Sequence, residues 1–388
     1  MSYLNHLDDD FPASITIKDR QNMVKKTEDI EDSKAPKKTT NLMAKLLKLN
    51  GAATNKNNPF LSGVGTPSPS LNFTFGKTHI LPFGYSLVLF GAYKSGKSLI
   101  SHLMVGQLHK DDPTAVAIKF DTEYRADGQL TNEDMVKFGI DSERLVVFNT
   151  NQPSQIFDRI EHDVAALIQE GLNVKLIIID SIQGIQGRRT ANADSIDQQQ
   201  IGDLALTLGE GFKRILPTIR DNKIGLVLIT QVRAEMDPQK IRQHKTIKAA
   251  ASYAVQHFGE YFMFVESDKT KAGKTDLLGN EFVNEHLLDV NDRKEKTALK
   301  VRVTMVENTF GVAERQGEFT FSYDDGIINT HEEIYLLAVN RGVIERPTNS
   351  SYVFENRKWV GERACVEAIK EDTELQNLLL KKIKELDV

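Results

Sequence analysis

The octapeptide Gly91-Ala92-Tyr93-Lys94-Ser95-Gly96-Lys97-Ser98 lies between the apolar run Leu87-Val88-Leu89-Phe90 and the apolar pair Leu99-Ile100, which seats it between a buried strand and a helix. That context makes it a phosphate-binding loop. Its two glycines let successive backbone N–H groups curl around an anion, and the helix opening at Lys97 adds the positive end of its dipole. Lys97 reaches the outer phosphates and the Ser98 hydroxyl is suited to Mg²⁺. Gly91, Ala92, Tyr93, Lys94, Ser95, Gly96, Lys97, Ser98 and Leu99 are therefore the candidate nucleotide contacts. A loop of this kind also demands a fold: a parallel sheet whose strands end on the ligand side.

The rest of the chain alternates as such a sheet requires. Strand-like runs are expected at Ser86–Phe90, Ala115–Asp121, Leu145–Phe148, Val174–Asp180 and Leu226–Thr230, with helical segments at Lys97–Leu108, Ser154–Gln169 and Gly202–Asp221. This predicts an α/β class, a central, mostly parallel sheet with flanking helices. Later runs at Tyr261–Val265, Ala298–Val306 and Glu318–Ser322 should extend it with antiparallel members. The charged stretch Lys269–Lys296 reads as a long loop. From His331 a small α+β unit is expected, with a helix to Asn340, a hairpin-like region around Pro347–Trp359 and two terminal helices; Trp359 and Tyr352 fit its core better than a base-stacking platform.

The N-terminal part differs. Residues 1–38 mix Asp, Glu, Lys and Ser without period and read as a flexible polar arm. Leu42, Met43, Leu46, Leu47 and Leu49 recur at amphipathic spacing, and a polar linker over Asn55–Ser70 follows. That helix either docks on a neighbouring protomer or caps its own core. The expected organisation is thus 1–38 arm, 39–70 helix and linker, 71–330 core and 331–388 terminal unit.

Composition narrows the function. A single cysteine, Cys365, rules out an internal disulfide, no window is apolar enough to span a bilayer, and the first twenty residues lack a signal-peptide core, so a cytoplasmic setting is expected with no membrane partner. The net charge of −5 leaves any nucleic-acid contact to local basic segments. The nine histidines show no metal-ligand spacing.

The chemistry gathers at strand ends. Leu176-Ile177-Ile178-Ile179-Asp180-Ser181 is a buried strand ending in a carboxylate, which places Asp180 beside the loop as the second Mg²⁺ residue, acting through water with Ser98 as direct ligand. Glu123, in Phe120-Asp121-Thr122-Glu123, is the candidate general base for water attack on a γ-phosphate, and Asp121 reads as structural. Gln231, ending Ile229-Thr230-Gln231, suits a γ-phosphate sensor. Behind it, Val232–Lys248 holds Arg233, Lys240, Arg242, Lys245 and Lys248 with no apolar period, and a second segment, Gly184–Gln200, carries Arg188 and Arg189. Both read as loops leaving the nucleotide edge. They suit a phosphate backbone, and on charge alone they equally suit plain solvation.

From about Leu71 to the C-terminus these residues resemble the RecA-type homologous recombinases, within them the phage branch typified by UvsX. The resemblance is carried by Gly91–Ser98, Phe120–Glu123, Leu176–Ser181, Ile201-Gly202-Asp203-Leu204-Ala205 and Leu228-Ile229-Thr230-Gln231-Val232-Arg233, in order and at matching spacings. It implies an ATP- and Mg²⁺-dependent ATPase that forms helical filaments on single-stranded DNA and pairs them with homologous double-stranded DNA, aided by single-strand-binding and mediator proteins. It implies roles for Lys97, Glu123 and Gln231 in catalysis, an adenine contact at Asp127, and DNA contact at Arg188, Arg189, Ile201, Gly202, Arg233, Lys240, Arg242, Lys245 and Lys248. The setting would be a bacterial or phage-infected cell. In place of the lysines that bacterial members carry on a late strand stands Val306-Glu307-Asn308-Thr309-Phe310, so action across a protomer boundary either uses another cation, such as Lys269, Lys271 or Arg315, or is weaker. A recombination mediator or helicase on the same core is the alternative reading.

Overall fold

The computed structural model describes residues 62–124, 130–191, 202–236, 247–267 and 298–387, all within the unit Pro59–Val388. The arm, the helix around Leu42–Leu49 and the loop Lys269–Lys296 lie outside the described residues.

The described part is organised by a 10-stranded sheet. In chain order its strands are β1 (Ser86–Gly91), β2 (Val116–Asp121), β3 (Leu145–Asn149), β4 (Val174–Asp180), β5 (Gly225–Ala234), β6 (Ile247–Ala249), β7 (Tyr261–Ser267), β8 (Ala298–Asn308), β9 (Gln316–Ser322) and β10 (Gly326–Ile328). Their spatial order is β10-β9-β8-β7-β1-β5-β4-β2-β3, with β6 paired to β5. Every residue of β1 is buried, as expected of a strand covered on both faces. One apolar layer joins Leu87, Leu89, Ile178 and Ile229 to the helix Lys97–Asp111; the other joins Val88, Phe90, Ile177 and Leu228 to Phe157, Phe212 and Ile215 on the opposite helices.

Several elements differ from the sequence expectation. Tyr261–Ser267 runs parallel to β1, with Leu87 opposite Tyr261, and among the later runs antiparallel pairing begins with β8. The reason lies in the helix Tyr253–Phe258, which returns the chain to the starting edge before β7 begins. β5 does not end at Thr230 but continues through Gln231 and Arg233 to Ala234. A helix at Asn132–Phe138, absent from the expectation, opens on a Thr131/Asp134 capping box and closes on Gly139 in the left-handed region. Part of the expected linker forms secondary structure: Gly63–Val64 pairs with Leu81–Pro82, and Ser68 caps a short helix, Pro69–Phe73.

The C-terminal elements are the helix Thr330–Asn340, a three-stranded antiparallel sheet over Glu345–Thr348, Ser351–Phe354 and Arg357–Val360, and the helices Glu362–Glu371 and Thr373–Glu385. They enclose a separate apolar cluster around Ile334, Tyr352, Cys365, Ile369 and Leu379, with Trp359 packed against it. Two polar contacts tie this cluster to the core: Glu333 accepts from Ser68 Oγ at 2.6 Å and from the Ser70 amide at 3.0 Å, and Arg315 grips Asp387 through both guanidinium nitrogens at 2.9 and 2.7 Å.

Candidate nucleotide site and nucleic-acid interface

The loop Gly91–Ser98 sits where β1 ends and the helix Lys97–Asp111 begins. Its glycines are sterically required. A Cβ at Gly91 would lie 2.2 Å from the Val265 carbonyl oxygen on β7, and Gly96 holds φ +100° as the residue capping the helix. Lys97 Nζ donates to the carbonyls of Gly91 at 3.1 Å and Ala92 at 2.7 Å, so its ammonium lies over the loop. Ser95 is buried, whereas Tyr93 and Lys94 face outward, the Lys94 ammonium lying 5.5 Å from the Tyr93 ring centre.

A cavity of about 460 Å³ opens over this loop, lined among others by Lys97, Ser98, Leu99, Glu123, Asp180 and Gln231. Ser98, on the helix, and Asp180, at the end of β4, come from opposite sides of one gap, and Ser98 Oγ donates to Asp180 Oδ2 at 2.8 Å. Glu123 follows β2 and accepts from Ser181 Oγ at 2.5 Å. The cavity therefore brings together Lys97, Ser98, Asp180, Glu123 and Gln231. Asp127, Ile201, Lys240, Arg242 and Lys245 lie outside the described residues.

Asp121, expected to be structural, lines the same cavity. It sits two residues before Glu123 and so shares its face of the chain, directly opposite Asp180 in the parallel register. Its Oδ1 accepts the Glu123 amide at 3.1 Å, while its buried Oδ2 has no hydrogen-bond partner among the described residues. Two further wall residues escaped the sequence reading. Lys119, only 3% exposed, points its ammonium 3.5 Å from Asp180 Oδ2 and 3.2 Å from His102 Nε2 on the helix. Burial and the adjacent Lys119 push His102 well below the ordinary histidine range, so its ring is neutral and Nε2 accepts from the ammonium. The signal was available: a lysine inside the apolar run Ala117-Ile118-Lys119-Phe120, in phase with Asp121 and Glu123.

A site for a triphosphate and Mg²⁺ can be tested on these residues. The glycine cradle, an ammonium over it, a hydroxyl–carboxylate pair and an unpartnered buried carboxylate oxygen form a donor set suited to anionic oxygens and a hard cation. They fit. Among the described residues no group of three His, Cys, Asp or Glu side chains forms a separate metal cluster, and no helix is long and apolar enough to cross a membrane.

The two basic segments leave the same edge, and their roots are ordered. Arg188–Ala191 forms a helical turn whose Thr190 amide and hydroxyl both donate to Asp203 Oδ2, at 2.8 and 3.0 Å. Burial raises the Asp203 carboxyl, but hydrogen bonds from the Thr190 and Arg189 amides outweigh it and leave the group below the usual range. Arg188 pairs with Glu210 at 3.0 Å, both side chains being exposed, and Gly202 caps the helix Asp203–Asp221 instead of lying within it. The segment after Gln231 begins and ends as a ribbon: β5 and β6 pair antiparallel, Arg233 opposite Lys248. Lys248 is held by the buried Glu235 at 2.8 Å, whereas Arg233 is exposed. Gln183 ties the two roots together. Its side-chain amide donates to Thr230 Oγ1 and, at 2.8 Å, to the Ala250 carbonyl. Gly187, Gly202 and Arg233 then line one cleft of about 620 Å³. Arg315, a candidate for action across a protomer boundary, is engaged with Asp387.

A mostly parallel sheet with a glycine-bearing strand-to-helix loop after one strand and a carboxylate ending another defines an α/β protein with a candidate phosphate-binding loop. Comparison with known proteins narrows the class: residues 42–252, just over half of the 388-residue chain, match the RecA N-terminal domain, and the chain belongs to the RecA family. It is 27% identical to Protein RecA of Mycoplasma genitalium over 334 residues, covering 86% of each chain. It is 21% identical to Protein RecA of Thermus aquaticus over 305 residues, covering 79% of this chain and 80% of the relative. Protein RecA of Oleidesulfovibrio alaskensis is 20% identical over 306 residues, covering 79% of this chain and 77% of that one.

Proposed function

We propose that this chain is an ATP-dependent DNA recombinase that forms helical filaments on single-stranded DNA and pairs them with homologous duplex DNA. The observation that carries the proposal is the course of β5: one strand passes from Gln231 in the cavity wall to Arg233 in the basic ribbon, with Gln183 bonding the root of the other segment to both sides of it. Nucleotide contact and DNA contact thus share one rigid element. Family membership and the matches to proteins named RecA support the same reading.

Each residue has a task in this scheme. Lys97 binds the outer phosphates, and Ser98 with Asp180 would hold Mg²⁺, which would supply positive charge to neutralise the phosphate oxygens. Glu123, fixed by Ser181, accepts the proton of the attacking water. Gln231 reads the γ-phosphate and biases the ribbon, so Arg188, Arg189, Arg233 and their neighbours meet the DNA backbone. Asp127 contacts adenine, and the segment at 39–70 docks on the next protomer. The resemblance of the motifs quoted above supports a place in the UvsX-like phage branch, with action in the cytoplasm of a bacterial or phage-infected cell alongside single-strand-binding and mediator proteins.

The test is single-stranded DNA binding with no nucleotide, with ADP and with a non-hydrolysable ATP analogue, imaged in parallel by electron microscopy. Tight binding and open helical filaments are expected with the analogue alone. Equal affinity in all three states removes the coupling, and closed rings point to a translocating ATPase instead.

A further inference from the structure

The wall of the nucleotide cavity contains more buried charge than phosphate binding and water activation use. Asp121 and Asp180 are neighbours across two parallel strands, both nearly inaccessible, at 3% and 8% exposure. Two carboxylates so placed repel each other unless a cation stands near, and repulsion between buried like charges is costly. The cation present is Lys119. It lies on the same strand as Asp121, two residues earlier and therefore on the same face, and it approaches Asp180 Oδ2, the oxygen that also receives the Ser98 hydroxyl. His102 Nε2 holds its ammonium from the helix side at 3.2 Å.

We infer that Lys119 is a built-in monocation of the nucleotide site, a positioning residue that fixes Asp180 and balances the Asp121–Asp180 pair, so that the pocket accepts a triphosphate without waiting for a divalent ion. The inference rests on the nucleotide reading above and adds a prediction that reading does not contain. A fixed positive charge beside a metal-holding carboxylate acts oppositely on the two ligands: it attracts the polyphosphate and opposes the divalent cation. Removing it therefore weakens metal-free nucleotide binding and enlarges the gain in nucleotide affinity that Mg²⁺ supplies. The two ligands are linked through this charge. His102 contributes by aiming the ammonium, since a neutral ring nitrogen holds a lysine without cancelling it.

The experiment measures the affinity of the full chain for a non-hydrolysable ATP analogue by calorimetry, once in EDTA and once in excess Mg²⁺, and takes the ratio of the Mg²⁺ affinity to the EDTA affinity. Lys119→Met is expected to raise that ratio about tenfold or more, chiefly through the EDTA arm. Lys119→Arg keeps the charge and should leave the ratio near the wild-type value. Because Lys119→Met leaves two buried carboxylates uncompensated and risks misfolding, the charge-balanced pair Lys119→Met/Asp121→Asn is measured beside Asp121→Asn. The same rise between those two supports the inference in a folded background. A purely structural lysine would lower the thermal midpoint and leave the ratio unchanged, which overturns the inference, as does loss of the ratio effect in the paired comparison. A wild-type chain that binds no analogue in either arm overturns the nucleotide reading and this inference together; binding with an unmoved ratio overturns this inference alone.

Discussion

Asp180 in the candidate nucleotide site and Glu333 at the seam with the C-terminal elements are both buried carboxyl groups, but they are surrounded differently. Asp180 has an ammonium 3.5 Å away and a hydroxyl on the same oxygen. Glu333 has only a hydroxyl and an amide for partners, one oxygen with no partner among the described residues, and the acidic Glu332 beside it in sequence. Burial pushes Glu333 up to about 8, against an ordinary 4.5, overcoming the hydrogen bonds from Ser68 and Ser70 that favour the charged form. A buried acid next to a lysine has a counter-charge beside it. A buried acid among neutral donors gives up its charge and becomes a packing group that remembers pH.

That contrast predicts different failures on the two sides. Lys97→Ala should abolish nucleotide-dependent DNA binding while the thermal midpoint stays near wild type; a variant that melts early instead would show that the site edge also carries the fold. Glu123→Gln should bind analogue and DNA yet hydrolyse ATP about 10²–10⁴-fold more slowly, as read from steady-state turnover. Normal turnover would remove Glu123 from the base role.

On the seam side the readout is stability against pH. The folded Glu333 keeps its proton to about 8 while the unfolded one releases it near 4.5, so between these values the folded chain binds more protons. Its contribution is complete below 4.5 and lost as pH rises through 8. Urea unfolding should show Glu333→Gln removing a downward slope of at most about 1.4 kcal/mol per pH unit across that window, with ATP turnover unchanged. Identical slopes would mean the seam carboxyl is not neutral. The smallest effect belongs to Arg233→Ala: the salt slope of single-stranded DNA binding should drop by up to about 0.7, touching neither melting nor hydrolysis.

The layout of the candidate site was largely legible in sequence because its information is local. Gly91–Ser98 and Ile177–Asp180 each name a strand, a turn and a chemistry within a few residues, and the fold then joins Ser98 to Asp180 across the chain. What escaped was nonlocal. Whether Tyr261–Ser267 runs with or against β1 depends on where the preceding helix returns the chain, and no pattern inside the strand encodes that. The continuation of β5 past Thr230 depends on β6 arriving to pair with it, so basic residues without apolar period read as a loop. Lys119 was passed over for a related reason: one charged residue in a strand ordinarily faces water, and only the opposing helix with His102 makes it an inside residue. The Asn132–Phe138 helix is the exception, since its Thr131/Asp134 cap was readable locally.

The unbroken run of β5 from the sheet interior to Ala234 has a geometric consequence for how a small event is felt at a distance. At roughly 3.3 Å per residue, Ala234 stands about 10 Å beyond Gln231, and the paired ribbon stiffens that span. A pivot at the sheet edge makes such a span a lever arm: a few degrees of rotation at its base sweep the tip sideways by a substantial fraction of an ångström.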